Sequence, residues 1–406
     1  MQFKFTKRCS SSARFRSARR VATRARTMSN DEVVETIVPS PTVAALERCK
    51  TSAWMQAFKA LAFRSIEVAV PEEFIRYALA DGVVATESNR AMPQREEVDA
   101  FDAAEDLEKF TLGDGDEVEE AEATAASFPA FERDVSAAIE ALGGECAPKF
   151  TWSAPKDAVW VSAGNTMKCR NVDEVILLLK ASDSMAHDLT DAYGACCDYE
   201  ENAIANESEE ERAIRENPSP VLTLREWFDL NPSMEFRCFV RKGLFIAISQ
   251  RHVNDFFEFL VDDAVRKSIE FALETFWHAH IESSNWHAEM QDYVFDVYVT
   301  PKTKKVKLVD FNVWGGTTLP LLFDWQELEE LATRIAAGIA DVDDDEADDG
   351  DDCCCSIDGI EFRIVNQQEH IRPGLQLGVP FDLYDTTPGG AIAEFLQEQK
   401  RKQDQA

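Results

Sequence analysis

The sequence predicts an α+β fold in which two lobes are each built on an antiparallel sheet. Short apolar strands are joined by tight turns, most clearly where Arg241-Lys242-Gly243 separates residues 235–240 from residues 244–249. Apolar residues recur at helical spacing in two separate stretches, residues 131–142 and about 265–281. The chain of 406 residues is long enough for two or three domains, and 45% apolar residues can fill a sizeable core.

Composition divides the chain into five predicted ranges. They are an extension (residues 1–45), a first lobe with acidic inserts (46–220), a second lobe (221–340), an acidic linker (341–358) and a tail (359–406). The acidic inserts are residues 92–127 and 198–217. Thr387 and Pro388 predict the start of a short helix in the tail.

The first 27 residues carry nine Lys or Arg and no Asp or Glu, among Ser and Ala residues. That composition is typical of a mitochondrial or plastid transit peptide. The alternative is an extension ahead of a start at Met28, which precedes the acidic opening Ser29-Asn30-Asp31-Glu32. We favour the alternative, which predicts a cytoplasmic protein.

The formal net charge of −33 limits the classes of partner. An acidic surface repels nucleic-acid phosphates and anionic lipids, so we expect neither partner. Basic protein surfaces suit it better, although the charge could serve solubility alone. The densest apolar run, Val175–Leu179, is too short to cross a bilayer, so the sequence predicts no membrane span.

The individual elements follow from local patterns. Apolar spacing with Gly143-Gly144 predicts a helix that ends near residue 142, and Asn171 with Glu174 predicts a capped helix start. The predicted strands are residues 148–151, 158–163, 166–169, 221–227, 235–240, 244–249, 293–299 and 306–311.

The last two strands carry the residues of greatest chemical interest. Asp310 and Asn312 are two apart and therefore share a face, while Phe311 turns into the core. A hairpin centred on Thr303 places Asp296 directly opposite Asp310. Two facing carboxylates in an apolar hairpin would repel each other unless a cation lay between them, and oxygen ligands of this kind suit magnesium. The alternative is an exposed acidic face without a metal.

Cationic residues lie in or beside several short strands. Arginine side chains there could grip phosphate oxygens in pairs, and Glu235 and Arg237 alternate onto one strand face. Taken singly, each cation is better explained by an ordinary surface charge, and only their concentration near the acidic hairpin in an otherwise acidic chain favours phosphate binding. The six cations are Lys149, Lys156, Lys168, Arg225, Arg237 and Arg251.

Other chemical motifs are missing from the sequence. It contains no Cys-x-x-Cys pair, no P-loop, no Gly-x-Gly-x-x-Gly and no nucleophile elbow. His278 and His280 are two apart on a predicted helix and point to different faces. These observations argue against zinc, P-loop and dinucleotide sites.

The order of these pieces resembles an ATP-grasp site, and within that superfamily the chain resembles the cell division cycle protein 123 family. The resemblance covers about residues 50–330 and rests on specific stretches. They are Pro148-Lys149-Phe150-Thr151-Trp152-Ser153-Ala154-Pro155-Lys156-Asp157-Ala158, Leu222-Thr223-Leu224-Arg225-Glu226-Trp227, Glu235-Phe236-Arg237-Cys238-Phe239-Val240, Ile248-Ser249-Gln250-Arg251, Phe295-Asp296 and Val309-Asp310-Phe311-Asn312.

The resemblance implies an ATP-grasp-like fold whose two lobes enclose ATP and magnesium. It implies that Asp296, Asp310 and Asn312 hold Mg²⁺ and that backbone groups of the strand from Val221 to Arg225 receive adenine. The full implied ATP-binding set is Lys149, Val221, Leu222, Leu224, Arg225, Glu235, Arg237, Arg251, Asp296, Asp310 and Asn312.

Two functions remain open from the sequence. The first, implied by the resemblance, is an ATP- and magnesium-binding chaperone that promotes assembly of eukaryotic translation initiation factor 2 by binding its gamma subunit. Such a protein would be a monomer without its partner, and ATP would act by shifting a conformational population. The second is an ATP-dependent carboxylate-amine ligase that works through an acyl phosphate. No acceptor pocket with an acid or base is evident in the sequence, so we favour the first.

Overall fold

The computed structural model describes residues 38–80, 127–162, 164–199, 208–217, 219–338 and 359–366, together with the backbone of residues 24–25 and 36–37. The predicted acidic linker, the predicted tail helix at Thr387 and almost all of the insert at residues 92–127 lie outside the described residues, as does nearly all of the basic extension. Among the described helices, none is long and apolar enough to cross a bilayer.

The secondary structure alternates between helices and short strands. The helices are α1 (Val43–Arg48), α2 (Thr51–Phe58), α3 (Glu72–Leu79), α4 (Pro129–Ala141), α5 (Val172–Ala181), α6 (Asp183–Thr190), α7 (Glu209–Glu216), α8 (Asp263–Phe276), α9 (Asn285–Glu289) and α10 (Trp325–Ala336). The strands are β1 (Arg24–Ala25), β2 (Thr36–Ile37), β3 (Ser65–Ala69), β4 (Cys146–Lys149), β5 (Val221–Glu226), β6 (Glu235–Arg241), β7 (Leu244–Gln250), β8 (Tyr293–Val299), β9 (Val306–Val313) and β10 (Glu361–Arg363).

Two main sheets organise the described chain. The smaller sheet has the order β3-β5-β4 and is antiparallel throughout. The larger has the order β10-β7-β6-β8-β9, and only the edge strand β10 runs parallel to its neighbour. β1 and β2 form a separate two-residue ladder. The mixed α+β architecture with antiparallel sheets is therefore confirmed.

The smaller sheet packs its apolar side chains against helices. Leu222 and Leu224 of β5 are fully buried in one cluster with residues of α3, α4 and α5. α4 starts with Pro129 at its first position and ends in a turn closed by Gly143, whose φ is +98°. The predicted cap of α5 is confirmed, because the Asn171 side chain accepts the backbone N–H of Glu174.

The larger sheet is covered on both faces. On one face, α1, α2 and α8 bury Trp54, Phe58 and Leu273 against strand residues such as Phe295 and Phe311. On the other face, α10 packs on one end of the sheet, around Phe239 and Val294. Because α10 covers only that end, the other end of the same face is left for charged residues.

The sheets do not follow the predicted lobe ranges of residues 46–220 and 221–340. β5 lies in the smaller sheet although it begins at residue 221, and α1 and α2 pack on the larger sheet although they precede residue 60. A β-strand belongs to the sheet whose strands it forms hydrogen bonds with, and composition does not reveal those partners. As domain boundaries the ranges stay predictions.

Three local predictions are corrected. Residues 158–163 are not a strand, because a 3-10 helix follows Pro155 over Lys156–Val161. The stretch 166–169 contributes only an isolated bridge between Cys169 and Cys146. Within the acidic insert at residues 198–217, the chain forms the helix α7. Ser208 caps this helix, and the side chains of Ser208 and Glu211 form a capping box.

Candidate functional site

The predicted pairing in the acidic hairpin is confirmed. Asp296 of β8 lies opposite Asp310 of β9. A β-bulge follows this pair, so Leu308 and Phe311 both enter the apolar core although they are three residues apart. Asp310 and Asn312 are left on the opposite face of the sheet, at the end that α10 does not cover.

Asp296 is held by two arginines. Arg237 Nε and Nη2 donate to its two carboxylate oxygens at 2.8 Å each, and Arg237 Nη1 donates to the Leu319 carbonyl at 2.8 Å. Arg251 Nε and Asn312 Nδ2 both lie 3.5 Å from Asp296 Oδ2. Burial opposes ionisation of Asp296, but Arg237 and Arg251 outweigh it and hold the Asp296 pKa well below its usual range.

Lys149 ties the smaller sheet to the larger one. Its Nζ lies 2.6 Å from Asp310 Oδ2 and donates to the Trp152 carbonyl at 2.6 Å. The other carboxylate oxygen of Asp310 accepts the backbone N–H of Phe311 at 2.9 Å. Lys149 is only 5% exposed and the Asp310 side chain is 16% exposed, so this ion pair is mostly shielded from solvent where it joins the two sheets.

Lys156 belongs to the same group of charges. Repulsion by Arg251 and burial lower the Lys156 pKa to about 8, although Glu235 and Asp296 oppose the shift. The Arg251 N–H donates to the Glu235 carbonyl at 3.0 Å, and His252 Nε2 lies 3.1 Å from the Glu235 carboxylate. Lys156 therefore lies beside two arginines and two carboxylates, with burial adding to the repulsion by Arg251.

Arg225 reaches the same region from β5. Its Nε and Nη2 are buried and donate to no hydrogen-bond acceptor within the described part of the chain. Burial lowers the Arg225 pKa, and the Asp310 carboxylate opposes that shift. Thr223, on the same strand face, likewise has an unpartnered buried hydroxyl. Buried donors of this kind destabilise the fold unless an acceptor reaches them.

The remaining residues of β5 divide into two groups. Leu222 and Leu224 are fully buried, with their side chains in the apolar core of the smaller sheet. Leu224 lies between β3 and β4, opposite Ile66 and Pro148, so the structure does not bring it to the cleft. β4 ends opposite Thr223, which leaves Val221 and Leu222 paired with β3 alone. Backbone groups therefore lack a β4 partner only at the start of β5, where Leu222 is fully buried and Val221 is half-buried.

The charges of the site do not balance. Five cations meet three carboxylates, which leaves two positive charges in excess (5 − 3 = 2) within a chain whose net charge is −33. The cations are Lys149, Lys156, Arg225, Arg237 and Arg251, and the carboxylates are Glu235, Asp296 and Asp310. A polyanion with several oxygens is the ligand that such a site favours.

The oxygen atoms of the same site decide whether it could hold Mg²⁺. The facing carboxylates do not by themselves require a metal, because Arg237 neutralises Asp296 and Lys149 neutralises Asp310, and the Mg²⁺ site stays a prediction. Across the described ranges, no group of three or more His, Cys, Asp or Glu could hold a metal ion. Two carboxylates and the Asn312 amide oxygen fit Mg²⁺ when phosphate oxygens and waters complete its shell.

The structure separates the six cations that the sequence singled out. Lys168 lies outside the cleft, where its Nζ contacts Glu145 at 2.8 Å and the Trp227 ring at 5.6 Å. Lys156 lies inside it, although the implied ATP-binding set omits Lys156. The sequence signal that could have added Lys156 to the ATP-binding set was its position seven residues after Lys149, on a segment that returns to the cleft.

A buried carboxylate holds that segment in place. Asp188 accepts the backbone N–H groups of Trp152 and Ser153 at 2.9 and 2.8 Å, and the Ser153 hydroxyl at 2.7 Å. Burial raises the Asp188 pKa, and these three hydrogen bonds oppose the shift. Asp188 thereby fixes the loop that connects Lys149 to Lys156.

The fold and the site together define an α+β protein with two sheets and an anion-receptive cleft between them, and an ATP-grasp-like fold is consistent with this architecture. A family model described as D123 matches residues 54–387. The Xenopus tropicalis protein named translation initiation factor eIF2 assembly protein is 31% identical over 368 residues, which cover 88% of this chain and 97% of that protein.

Two further comparisons agree. Cell division cycle protein 123 of Phaeosphaeria nodorum is 33% identical, over 85% of this chain and 92% of that protein. The solved structure of Cdc123 from Schizosaccharomyces pombe aligns with a TM-score of 0.52 at 27% identity, over 72% of this chain and 94% of that one. The chain belongs to the D123 family, which confirms the resemblance seen in its motifs.

Proposed function

We propose that this protein is an ATP- and magnesium-binding chaperone that promotes assembly of eukaryotic translation initiation factor 2 by binding its gamma subunit. The observation that carries the nucleotide part is the excess of cations in the cleft, with unpartnered donors on Arg225. The assembly part rests on family membership and on relatives named as eIF2 assembly proteins.

In this proposal the phosphates lie among the cations. Arg225, Arg237 and Arg251 donate to phosphate oxygens as guanidinium groups, and Lys149 and Lys156 act as point charges. Asp296, Asp310 and Asn312 would hold Mg²⁺, which would supply positive charge to the phosphate oxygens. Adenine contacts the backbone at Val221 and Leu222, where β5 has a neighbour on one side only.

The site explains how a nucleotide could act as a structural ligand. Lys149 and Arg225 come from the smaller sheet, whereas Arg237, Asp296 and Asp310 come from the larger one. A ligand that contacts both groups stabilises the arrangement in which the sheets face each other. The gamma subunit would then bind a surface that the nucleotide has ordered.

Calorimetric titration of the full chain with ATP and Mg²⁺ tests the nucleotide part. Arg225→Met removes donors that have no partner among the described residues, so we expect a folded variant whose ATP affinity falls by about tenfold or more, the value of one or two charge-assisted hydrogen bonds. Asp310→Ala tests the proposed metal position in the same way. Lys168→Met is the matched control, because Lys168 is a cation paired outside the cleft.

The outcomes separate the two parts of the proposal. Wild-type affinity in Arg225→Met and Asp310→Ala, or no ATP binding by the wild type, would rule out the nucleotide site. ATP binding that leaves gamma-subunit affinity unchanged would rule out the chaperone role alone.

A ligase would consume ATP in each reaction, whereas a chaperone that uses ATP as a structural ligand need not consume it. We expect bound ATP to be recovered intact after incubation with the gamma subunit. ADP formed in proportion to the gamma subunit would favour the ligase instead.

A further inference from the structure

An open groove lies away from the cleft, on the helix-covered face of the larger sheet. Its volume is about 460 Å³. One wall is the outer side of α8 with the turn that follows it, and the other is the β8–β9 hairpin. Leu61, from the turn after α2, closes one end.

The floor and one wall of the groove are apolar. Phe271 is 69% exposed, the largest exposed fraction of any large apolar side chain among the described residues. Ala272 and Ala279 continue the same wall, and Ala60 lies across from them. Positions 268, 271, 272, 275 and 279 recur at helical spacing on the groove side of α8 and the helical turn after it, where Phe271, Ala272 and Ala279 are apolar and Ser268 and Thr275 are polar. An exposed phenyl ring flanked by small apolar residues on a surface helix indicates a contact outside the core.

The opposite wall is basic. Lys304, Lys305 and Lys307 line the groove. No carboxylate of the described residues lies within ion-pair distance of these three lysines. In a chain of net charge −33, three neighbouring lysines without acidic partners are a local reversal of the surface charge.

Hydrogen bonds fix the turn that carries two of these lysines. The Thr300 hydroxyl accepts the Lys305 N–H at 2.8 Å, and the backbone N–H of Thr300 donates to the Lys305 carbonyl at 2.9 Å. The Lys304 N–H donates to the Thr300 carbonyl at 2.9 Å. The lysine side chains are therefore presented from a rigid turn, which reduces the entropy that a ligand has to offset.

We propose that this groove, lined by Leu61, Phe271, Ala272, Ala279 and Lys304–Lys307, binds an acidic amphipathic peptide segment of a partner protein. One apolar side of the segment would pack on Phe271 and the alanines, and its carboxylates would meet the lysines. In helix-in-groove recognition an amphipathic helix lays its apolar face into an apolar groove, and here the lysines beside that groove complement carboxylates on the bound helix.

Charge selects this occupant. A nucleic acid would meet the three lysines but would be repelled by the rest of a chain with net charge −33. A basic peptide would place like charges against the lysines.

Fluorescence anisotropy with the full chain tests the proposal. The probe is a labelled helical peptide with Leu at i, i+3, i+4 and i+7 and Glu at the flanking positions. The comparison probe has Lys in place of each Glu. We expect the acidic peptide to bind and its affinity to fall as salt rises, and the basic peptide to show no binding.

Two variants and their matched controls locate the site. Phe271→Ser should weaken binding by about tenfold or more, the value of an exposed phenyl ring that becomes buried on binding. Lys304→Glu with Lys305→Glu should weaken binding and reverse its salt dependence. Phe259→Ser and Lys242→Glu are the controls, since Phe259 is also exposed, at 43%, and neither residue lines the groove.

Equal binding of both peptides, or unchanged affinity in both groove variants, would overturn the proposal. A second overturning result concerns the chain's own acidic insert. If the acidic peptide bound only after acid-to-amide substitutions between residues 92 and 127, the groove would serve that insert and not a partner. These results are independent of ATP binding, so the proposed function could fail while the groove proposal stands.

Discussion

Lys156 is the residue whose protonation should report an occupied cleft. Its pKa of about 8 reflects repulsion by Arg251 and loss of hydration, and both effects favour the neutral amine. A phosphate group nearby favours the ammonium form and raises the pKa again. Above about pH 8, binding of a polyphosphate should therefore draw a proton from solution.

We expect ATP binding at about pH 8.5 to take up a measurable fraction of a proton, since a group with a pKa of about 8 is mostly neutral there and becomes protonated in the complex. Titration calorimetry in two buffers of different ionisation enthalpy measures this uptake. Phosphate groups titrate near pH 6 and do not contribute at that pH.

Lys156→Met should abolish the proton uptake and weaken binding at neutral pH, while Lys168→Met should change neither. Persistent uptake in Lys156→Met would assign the proton to another group and would contradict the placement of Lys156 beside the phosphates.

Residue-level prediction from the sequence had a clear limit. The order of cationic and acidic motifs identified Arg237, Arg251 and the hairpin acids, which the structure places together. It could not separate Lys156 from Lys168, because each lies on an irregular segment whose path depends on tertiary contacts such as those of Asp188. Nor could it show that Asp296 already has two arginine partners.

At the scale of single elements, the turn after β9 depends on a close backbone approach. Gly315 has a φ of +82°, and a Cβ atom there would lie 1.9 Å from the Pro39 carbonyl oxygen. The adjacent Gly316 N–H donates to that same oxygen at 2.8 Å. The glycine thus lets the segment before α1 pack on the end of the strand that carries Asp310 and Asn312.

Gly315→Ala should destabilise the fold by several kcal/mol, because alanine adds both a left-handed backbone penalty of about 1–2 kcal/mol and a backbone clash. Gly338→Ala is the matched control, since Gly338 has a φ of +65° with no atom within 4 Å of its Cβ position. It should cost only the backbone penalty. Urea unfolding of both variants measures the difference, and equal losses would refute the close approach.

The β8–β9 hairpin shows how an element can be predicted for an incomplete reason. A regular hairpin centred on Thr303 gave the correct partner for Asp296. Near the turn, however, Val299 pairs with Val306, one residue out of that register, because of the bulge. Bulges depend on local strand twist and on packing of side chains such as Phe311, and period-two alternation does not reveal them.

At the scale of the whole molecule, the fold class followed from hairpins and helical spacing, whereas the assignment of elements to sheets did not. β5 joins the smaller sheet by pairing with β3, a strand about 155 residues earlier in the chain (Leu224 opposite Ile66). Such long-range pairing leaves no mark on local periodicity. For that reason the predicted boundary at residue 221 falls at the start of a strand of the smaller sheet.

The net charge makes a prediction for the whole molecule that depends on the proposed partner. With −33 charges on the chain, long-range attraction should accelerate encounter with a basic surface of the gamma subunit, and salt should screen it. We expect the association rate constant, measured by stopped-flow fluorescence with ATP and Mg²⁺ present, to fall by about tenfold or more between low and high ionic strength, while the dissociation rate changes little. Lys304→Glu with Lys305→Glu serves as the internal comparison, because it makes the chain more acidic and should accelerate association if the overall field guides the encounter. Slower association in that variant would show that the basic groove, and not the acidic surface, meets the gamma subunit.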